Sequence, residues 1–439
     1  MNTFSQKYQV FTLRNFKQIP QVQTHLSQKD QHAIQVVGNV LPFKVNNYVI
    51  DELIDWTRIP EDPIFQLTFP QKEMLSNPHF EEMENALANN LPKPELKLVA
   101  NKIRFELNPH PAGQEHNVPE LNGINLNGIQ HKYRETLLFF PSNSQTCHAY
   151  CTFCFRWPQF VGIDELKFAM RETELLVAYL QEHPEVTDIL FTGGDPMVMS
   201  AKNLASYLEP LISGRTPNLR SIRIGTKALG YWPYRFLTDK DADDMLRLFE
   251  KVVKSGKHLA FMAHFNHPRE LQTEAVQKAI QRILNTGAQI RTQSPIMQHI
   301  NDHPGIWRDM WKRQVALGCV PYYMFVARDT GAQDYFAVSL GRAWEVFRKA
   351  YQQVSGLART VRGPSMSATP GKVQILGVSE VQGKKVFSLR FLQGRNPDWV
   401  GRPFFAQFDP DAIWLDDLKP AFGKQAFFFE EEMGGVFLN

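Results

Sequence analysis

The sequence predicts an α/β protein built on a partial, six-unit (β/α) barrel, and three observations predict it. Between residues 131 and 352, six short β-rich runs alternate with helical segments at intervals of about 30 to 50 residues, the pattern of parallel strands joined by crossover helices. Each run ends in polar or thiol side chains, and (β/α) barrels build their sites from the loops at the C-terminal strand ends. No GxGxxG turn follows the first run, whereas an open Rossmann-type sheet usually carries one there.

The elements follow in chain order. Residues 1–130 read as a mainly helical N-terminal region, with helical stretches over 47–56 and 80–89 and loops rich in Asn, Gly and Pro. It shows no chemical motif, so its expected role is packing against the next domain; His110 and His116 read as loop residues rather than ligands. The six runs are TLLFF (136–140), TDILF (187–191), SIRIG (221–225), LAFMA (259–263), QIRTQ (289–293) and YYMFV (322–326). Between the first two, Leu166, Ala169, Met170, Leu176, Val177 and Leu180 share one helical face, which predicts a helix across them. The strand-end groups are a cysteine loop, Thr192-Gly193-Gly194-Asp195, Thr226-Lys227, His264-Phe265-Asn266, Gln293-Ser294 and Arg328-Asp329. Residues 353–439 form a C-terminal extension with strand-like runs over 372–378 and 384–392 and an aromatic-rich tail. Such aromatics usually pack a core; the sharper expectation is that they cover the barrel mouth or form a dimer contact.

Bulk composition narrows the function. With 48 basic and 45 acidic residues among 439, the net charge is +3 and no block of like charge stands out, which speaks against nucleic-acid binding. No apolar run approaches the length needed to span a membrane, and the polar start is not a signal peptide. The expected partners are small molecules. Four cysteines, three of them clustered, make a poor disulfide framework and point to a reducing, cytoplasmic setting.

The cluster is Cys147, Cys151 and Cys154 in TCHAYCTFC. Three thiols are one too few to saturate a Cys₄ iron–sulfur cluster or a structural zinc tetrahedron. A [4Fe–4S] cluster on three thiolates leaves one iron open to a small molecule; the alternative is zinc completed by His148. The CxxxCxxC spacing with aromatic Phe153 before the third cysteine resembles the radical S-adenosylmethionine (SAM) superfamily. More narrowly, with Phe155-Arg156 following and further blocks between residues 133 and 372, the chain resembles the lysine 2,3-aminomutase family, which implies the same partial barrel.

The resemblance also implies residue roles. Cys147, Cys151 and Cys154 would hold the cluster. Phe153, Gly193, Gly194, Asp195, His264 and Gln293 would face SAM. Reductive cleavage of SAM, driven by a flavodoxin- or ferredoxin-type donor, would generate a 5′-deoxyadenosyl radical. Arg156 would bind a substrate carboxylate; Lys372 would carry pyridoxal phosphate (PLP), with Tyr133 and a basic neighbour toward its phosphate. The chain departs from the family where lysine's ammonium is read: Arg328, beside Asp329, stands where an Asp is expected, and Ser365 replaces a second Asp. The resulting expectation is a PLP-dependent 2,3-aminomutase acting on an amino acid other than free lysine, the substrate meeting Arg156, Arg328 and Asp329. The alternatives are a PLP-independent radical SAM enzyme and a non-catalytic iron–sulfur or zinc scaffold.

Overall fold

The computed structural model describes residues 7–108, 117–162 and 168–433. In its N-terminal region a short strand β1 (Val10–Thr12) leads through α1 (Pro20–His25) and α2 (Gln28–Val40) to β2 (Lys44–Asn46), which pairs antiparallel with β1. Then come α3 (Pro63–Thr68), α4 (Asn77–Ala88) and α5 (Lys93–Glu106). Ser27 starts α2 with a reciprocal box, its hydroxyl accepting from Asp30 N while the Asp30 carboxylate accepts from Ser27 N. Buried Asp62 caps α3 by accepting from Ile64 N and Phe65 N, both at 2.9 Å, and it also ion-pairs with Arg269 of the barrel.

The helix expected over 80–89 is the body of α4. The stretch expected over 47–56 is instead a single wide π-helical turn, Val49–Leu53. Asn46 accepts from Val49 N at its start, and the Trp56 indole donates to Ile50 O at 2.8 Å. These side chains take up backbone groups that a longer helix would have used.

A tight hairpin, β3 (Glu120–Leu121) and β4 (Ile124–Asn125), turns through Asn122 and Gly123, both at positive φ. The main sheet follows, with eleven strands in sequential order: β5 (Ile129–Tyr133), β6 (Thr136–Phe139), β7 (Asp188–Phe191), β8 (Ser221–Thr226), β9 (His258–His264), β10 (Gln289–Ile296), β11 (Val320–Val326), β12 (Arg362–Ser367), β13 (Gly371–Val381), β14 (Lys384–Gly394) and β15 (Pro403–Gln407). Every pairing from β6 to β12 is parallel, whereas β5 and β13 to β15 pair antiparallel. Among the described residues β5 and β15 are the two edges and do not meet, so the barrel is partial. All six expected runs form parallel strands. A seventh, β12, was not read from the sequence because Gly363 and Pro364 lie in it, and proline gives a ladder no N–H.

The crossovers carry α6 (Thr173–Glu182), α7 (Ala201–Ile212), α8 (Ala228–Tyr231), α9 (Ala242–Lys254), α10 (Glu274–Asn285), α11 (Pro304–Ala316), α12 (Gln333–Phe336) and α13 (Leu340–Tyr351). In α9 the buried residues Met245, Leu248, Phe249 and Val252 recur at helical spacing and face the sheet. The first crossover departs from expectation. Met170 is extended, its N–H donating to Phe140 O and its C=O accepting from Ser142 N, so the helix begins only at Thr173. Leu166, His110 and His116 lie outside the described residues.

The aromatic tail folds back onto the antiparallel extension and ends in α14 (Phe428–Met433). Phe391, Trp399, Phe404, Phe427 and Phe429 form a second core there. Phe391 is 1% exposed and packs against Trp399, Phe404 and Phe429 with ring centroids 5.3 to 5.6 Å away. Phe391→Ala should therefore lower unfolding stability by about 3–5 kcal/mol, read as a fall in the urea midpoint.

Candidate active site

The cysteine loop leaves β6 at the C-terminal end of the sheet and has little regular structure of its own, so its backbone groups must find partners elsewhere. The N-terminal region supplies them. Lys44 Nζ donates to Cys147 O at 2.6 Å and to Thr146 Oγ1 at 3.1 Å. The Tyr8 hydroxyl and the Asn46 amide both donate to His148 O. Tyr150 N donates to Lys44 O, Thr152 N to Leu67 O and Thr152 Oγ1 to Gln66 O. Nothing in the sequence of the N-terminal region signalled this role.

The three thiols are half-buried and stand within electrostatic reach of one another. Burial raises each pKa, Cys147 well above the ordinary thiol value, Cys151 to about 12 and Cys154 to about 11. Two of them also feel another as a like charge: Cys147 is raised by Cys154 and Cys151, and Cys151 by Cys154. Lys44, Lys227 and Arg156 act in the opposite sense, on Cys147, Cys151 and Cys154 respectively. The Tyr231 hydroxyl is buried without an ordinary protein hydrogen bond and faces Cys151, whose pKa it lowers.

This donor set fits an iron–sulfur cluster held at three corners. Thiolates so desolvated need a cationic centre to form, and bound metal deprotonates a coordinating thiol outright. The fourth cysteine, Cys319, precedes β11 at the opposite end of the sheet. The zinc alternative required His148 to join the thiols; its ring is buried, its pKa pushed down to about 3, with Nδ1 unpartnered. Among the described residues no group of three or more His, Cys, Asp and Glu, the three thiols included, converges on a single metal ion, which disfavours zinc here; a cluster instead spreads its thiolates over separate irons.

The neighbouring strand ends close on this loop. Gly194 N and Asp195 N both donate to Ser144 O, and Asp195 N also to Thr146 O. A Cβ on Gly194 would stand 2.3 Å from Thr146 O and 2.5 Å from Ser144 O, and Gly193 has a φ of +132°; only glycine allows this approach. The Asp195 carboxylate is engaged within the fold, accepting from Thr226 Oγ1, Met197 N and Lys227 N. It ties the β7 loop to the β8 loop. Lys227 pairs with fully buried Glu270 at 2.8 Å, and Glu270 also accepts from Asn266 N.

His264 ends β9 beside Phe153, ring centroids 5.6 Å apart, with Nε2 3.0 Å from Asn266 Nδ2. Burial holds its pKa well below the usual imidazole value, so the ring is neutral. Gln293 pairs in register with His264 and with Tyr323, half-buried at the same level. Phe153, Gly193, Gly194, His264 and Gln293 thus gather around the cysteine loop. Glu270 and Tyr231 join them without a signal in the sequence, whereas Lys227 and Asn266 stood among the strand-end groups.

The other side of the mouth is cationic. The Arg156 guanidinium is buried, 4.2 Å from the Phe140 ring centroid, with its pKa lowered to about 10 by burial. Arg328 lies 5.5 Å from the Phe155 ring centroid and 5.8 Å from that of Trp414, its Nε 3.6 Å from Asp329. Lys132 donates to Ala368 O, and its pKa is driven well down by burial and by Arg395, Arg328 and Lys372. Lys372 sits on β13 opposite Ser367, the last residue of β12. Its Nζ is 3.2 Å from Gln393 Oε1 and 4.3 Å from the Tyr323 ring centroid, and burial followed by Arg223 lowers its pKa to about 8. Tyr133 is buried nearby, pushed up by burial and by Tyr323.

No protein-family model matches the chain. Whole sequences do. A protein named "Putative L-lysine 2,3-aminomutase" from Aquifex aeolicus is 29% identical over 393 residues, 89% of this chain and 91% of that one. The L-lysine 2,3-aminomutase of Methanococcus maripaludis is 24% identical over 349 residues, 80% of this chain and 68% of that one. Over most of its length the chain is thus similar to proteins named as lysine 2,3-aminomutases. A crystal structure of a radical SAM methyltransferase from Sphaerobacter thermophilus matches at 15% identity and a TM-score of 0.38, over 54% of this chain and 68% of that one.

The contact at Gly194 allows a test of whether metal retention by the cysteine loop depends on the loop's closure. Gly194→Ala should displace the cysteine loop at a cost of about 1–3 kcal/mol and lower the iron and sulfide bound per chain. Gly225→Ala, whose Cβ would meet nothing nearer than 3.5 Å, should keep its iron.

Proposed function

We propose that the enzyme is a PLP-dependent 2,3-aminomutase acting on an amino acid other than free lysine. Lys372 carries the reading: a half-buried amine opposite the end of the last parallel strand, its pKa lowered to about 8 by desolvation and Arg223. A lysine so depressed presents a substantial neutral fraction near physiological pH, the form that attacks an aldehyde. Lys132 and Tyr133 stand beside it for a phosphate. These residues fit the cofactor.

When bound, the cluster and SAM supply a hydrogen-abstracting radical, and PLP supplies an electron-delocalising carrier for the migrating nitrogen. The chain's own residues position the reactants. Cys147, Cys151 and Cys154 would hold the cluster; Gly193 and Gly194 would offer their backbone to SAM, with Phe153, His264 and Gln293 lining its place, while the Asp195 carboxylate fixes the turn. Arg156 takes the substrate carboxylate, where a planar two-pronged donor fixes orientation. The net reaction is an isomerisation: the C2–N bond breaks, a C3–N bond forms, and one hydrogen passes from C3 to C2, with no net oxidant consumed. The setting proposed is the reducing cytoplasm, with a flavodoxin- or ferredoxin-type donor.

Borohydride reduction of protein incubated with PLP, followed by peptide mass analysis, should place a phosphopyridoxyl group on Lys372. Because the neutral amine reacts, trapping at short times should rise with pH through about 8 and then level off. An unmodified Lys372 in protein that still cleaves SAM would favour the PLP-independent alternative. Cys151→Ala should abolish 5′-deoxyadenosine formation from SAM and reductant; cleavage at the wild-type rate would remove that cysteine from the cluster.

A further inference from the structure

We infer that Arg156 and Arg328 form a clamp for two carboxylates, and that the substrate is a short α-amino dicarboxylate of the aspartate or glutamate class; this rests on the aminomutase reading and names its substrate.

The clamp is built around one ring. Phe155, 42% exposed, has the guanidinium carbon of Arg156 5.2 Å from its centroid and that of Arg328 5.5 Å from it. The two cations therefore share a single aromatic ring and act on each other, so they stand close enough for one small molecule to reach both. Arg328 is also braced by the Trp414 indole at 5.8 Å, so the C-terminal tail helps to fix its position. Aromatic faces hold a guanidinium by cation–π attraction while leaving its N–H edge available.

Both arginines have spare donors. Arg156 Nη1 is buried without a hydrogen-bond partner, a costly arrangement unless a ligand supplies the acceptor. Arg328 has one acidic neighbour, Asp329, and that contact is to Nε. The surroundings add positive charge: Arg328 acts on Arg156 and on Lys132, which also feels Arg395 and Lys372. A substrate ending in an ammonium would add a sixth cation to Arg156, Arg328, Lys132, Arg395 and Lys372, and a side-chain amide would add no charge to the 3.6 Å pairing of Arg328 with Asp329. A second carboxylate answers both arginines, with two planar donors matching two planar acceptors.

The test is anaerobic equilibrium dialysis of reconstituted enzyme, loaded with SAM and PLP, against radiolabelled L-glutamate, L-aspartate, L-glutamine and L-lysine. At least one dicarboxylate should bind about tenfold or more tighter than glutamine and lysine, a gap of about 1.4 kcal/mol. Arg328→Gln, checked for unchanged cluster content, should bring glutamate and glutamine within about twofold of each other, since the acid-specific pairing is gone. Equal or preferred binding of glutamine or lysine by the wild type, binding of none of the four, or a preference that survives in Arg328→Gln would each overturn the clamp. Trapping at Lys372 on the same preparations separates the two ideas. An adduct without acid preference defeats the clamp and leaves the aminomutase reading standing, whereas acid preference without an adduct defeats that reading.

Discussion

Everything at the mouth depends on holding three half-buried thiols in a loop that cannot hold itself. Gly194 is the closest constraint, its backbone lying where any Cβ would strike Thr146 O and Ser144 O. From that contact the Gly194 and Asp195 amides bond to the loop, and the Asp195 carboxylate passes the restraint to Thr226 and Lys227. On the opposite side, Lys44, Asn46 and the α3 carbonyls grip the same loop. The N-terminal region is in turn tied to the barrel by Asp62 and Arg269. A loop clamped from both sides loses little further freedom when it takes up a cofactor, which is the physical sense of a preorganised site.

Charge follows the same geometry. Each thiol has its own cationic neighbour, and each of those cations is itself secured. Lys44 binds the loop carbonyl, Lys227 is paired with buried Glu270, and Arg156 lies over Phe140. Glu270 raises the Cys151 pKa while Lys227 lowers it, so the pair sets a local balance. The far side of the mouth is richer in cations: Lys132 feels Arg395, Arg328 and Lys372, and Arg156 feels Arg328, while Asp329 lies 3.6 Å from Arg328 and Asp188 offsets part of the charge around Lys372. One mouth thus holds a thiolate-rich half and a cation-rich half, suited respectively to metal and to anionic ligands.

The barrel was legible because its strands announce themselves locally. Six β-rich runs ending in polar groups needed no long-range information, and TCHAYCTFC is compact enough to read as a metal loop. What escaped was either masked by local composition or made by distance in the chain. Gly363 and Pro364 disguised β12 as a loop, and Met170 showed a helical spacing that lost to its hydrogen bonds with Phe140 and Ser142. Asn46 reaches His148, 102 residues on, and Tyr231, 185 residues on; no window along the sequence contains such a contact. Asp195 was legible as part of the site, but its carboxylate bonds are visible only once β7 and β8 lie side by side.

The reversal after β12 links the extension to the chemistry. Parallel strands deliver their C-terminal ends to the mouth and then need a long crossover back. Here the chain instead turns within residues 368–370, so β13 starts at the mouth and carries Lys372 into register with Ser367. Gly371 makes this fit, since a Cβ there would lie 2.3 Å from Gln393 O on β14. A single glycine before the lysine is therefore sufficient in Thr-Pro-Gly-Lys, because β14 closes on that one position. The same antiparallel extension must bury its other face, and the aromatic tail does so while returning Trp414 to Arg328. The antiparallel extension thus both carries Lys372 opposite the end of β12 and, through Trp414, braces Arg328.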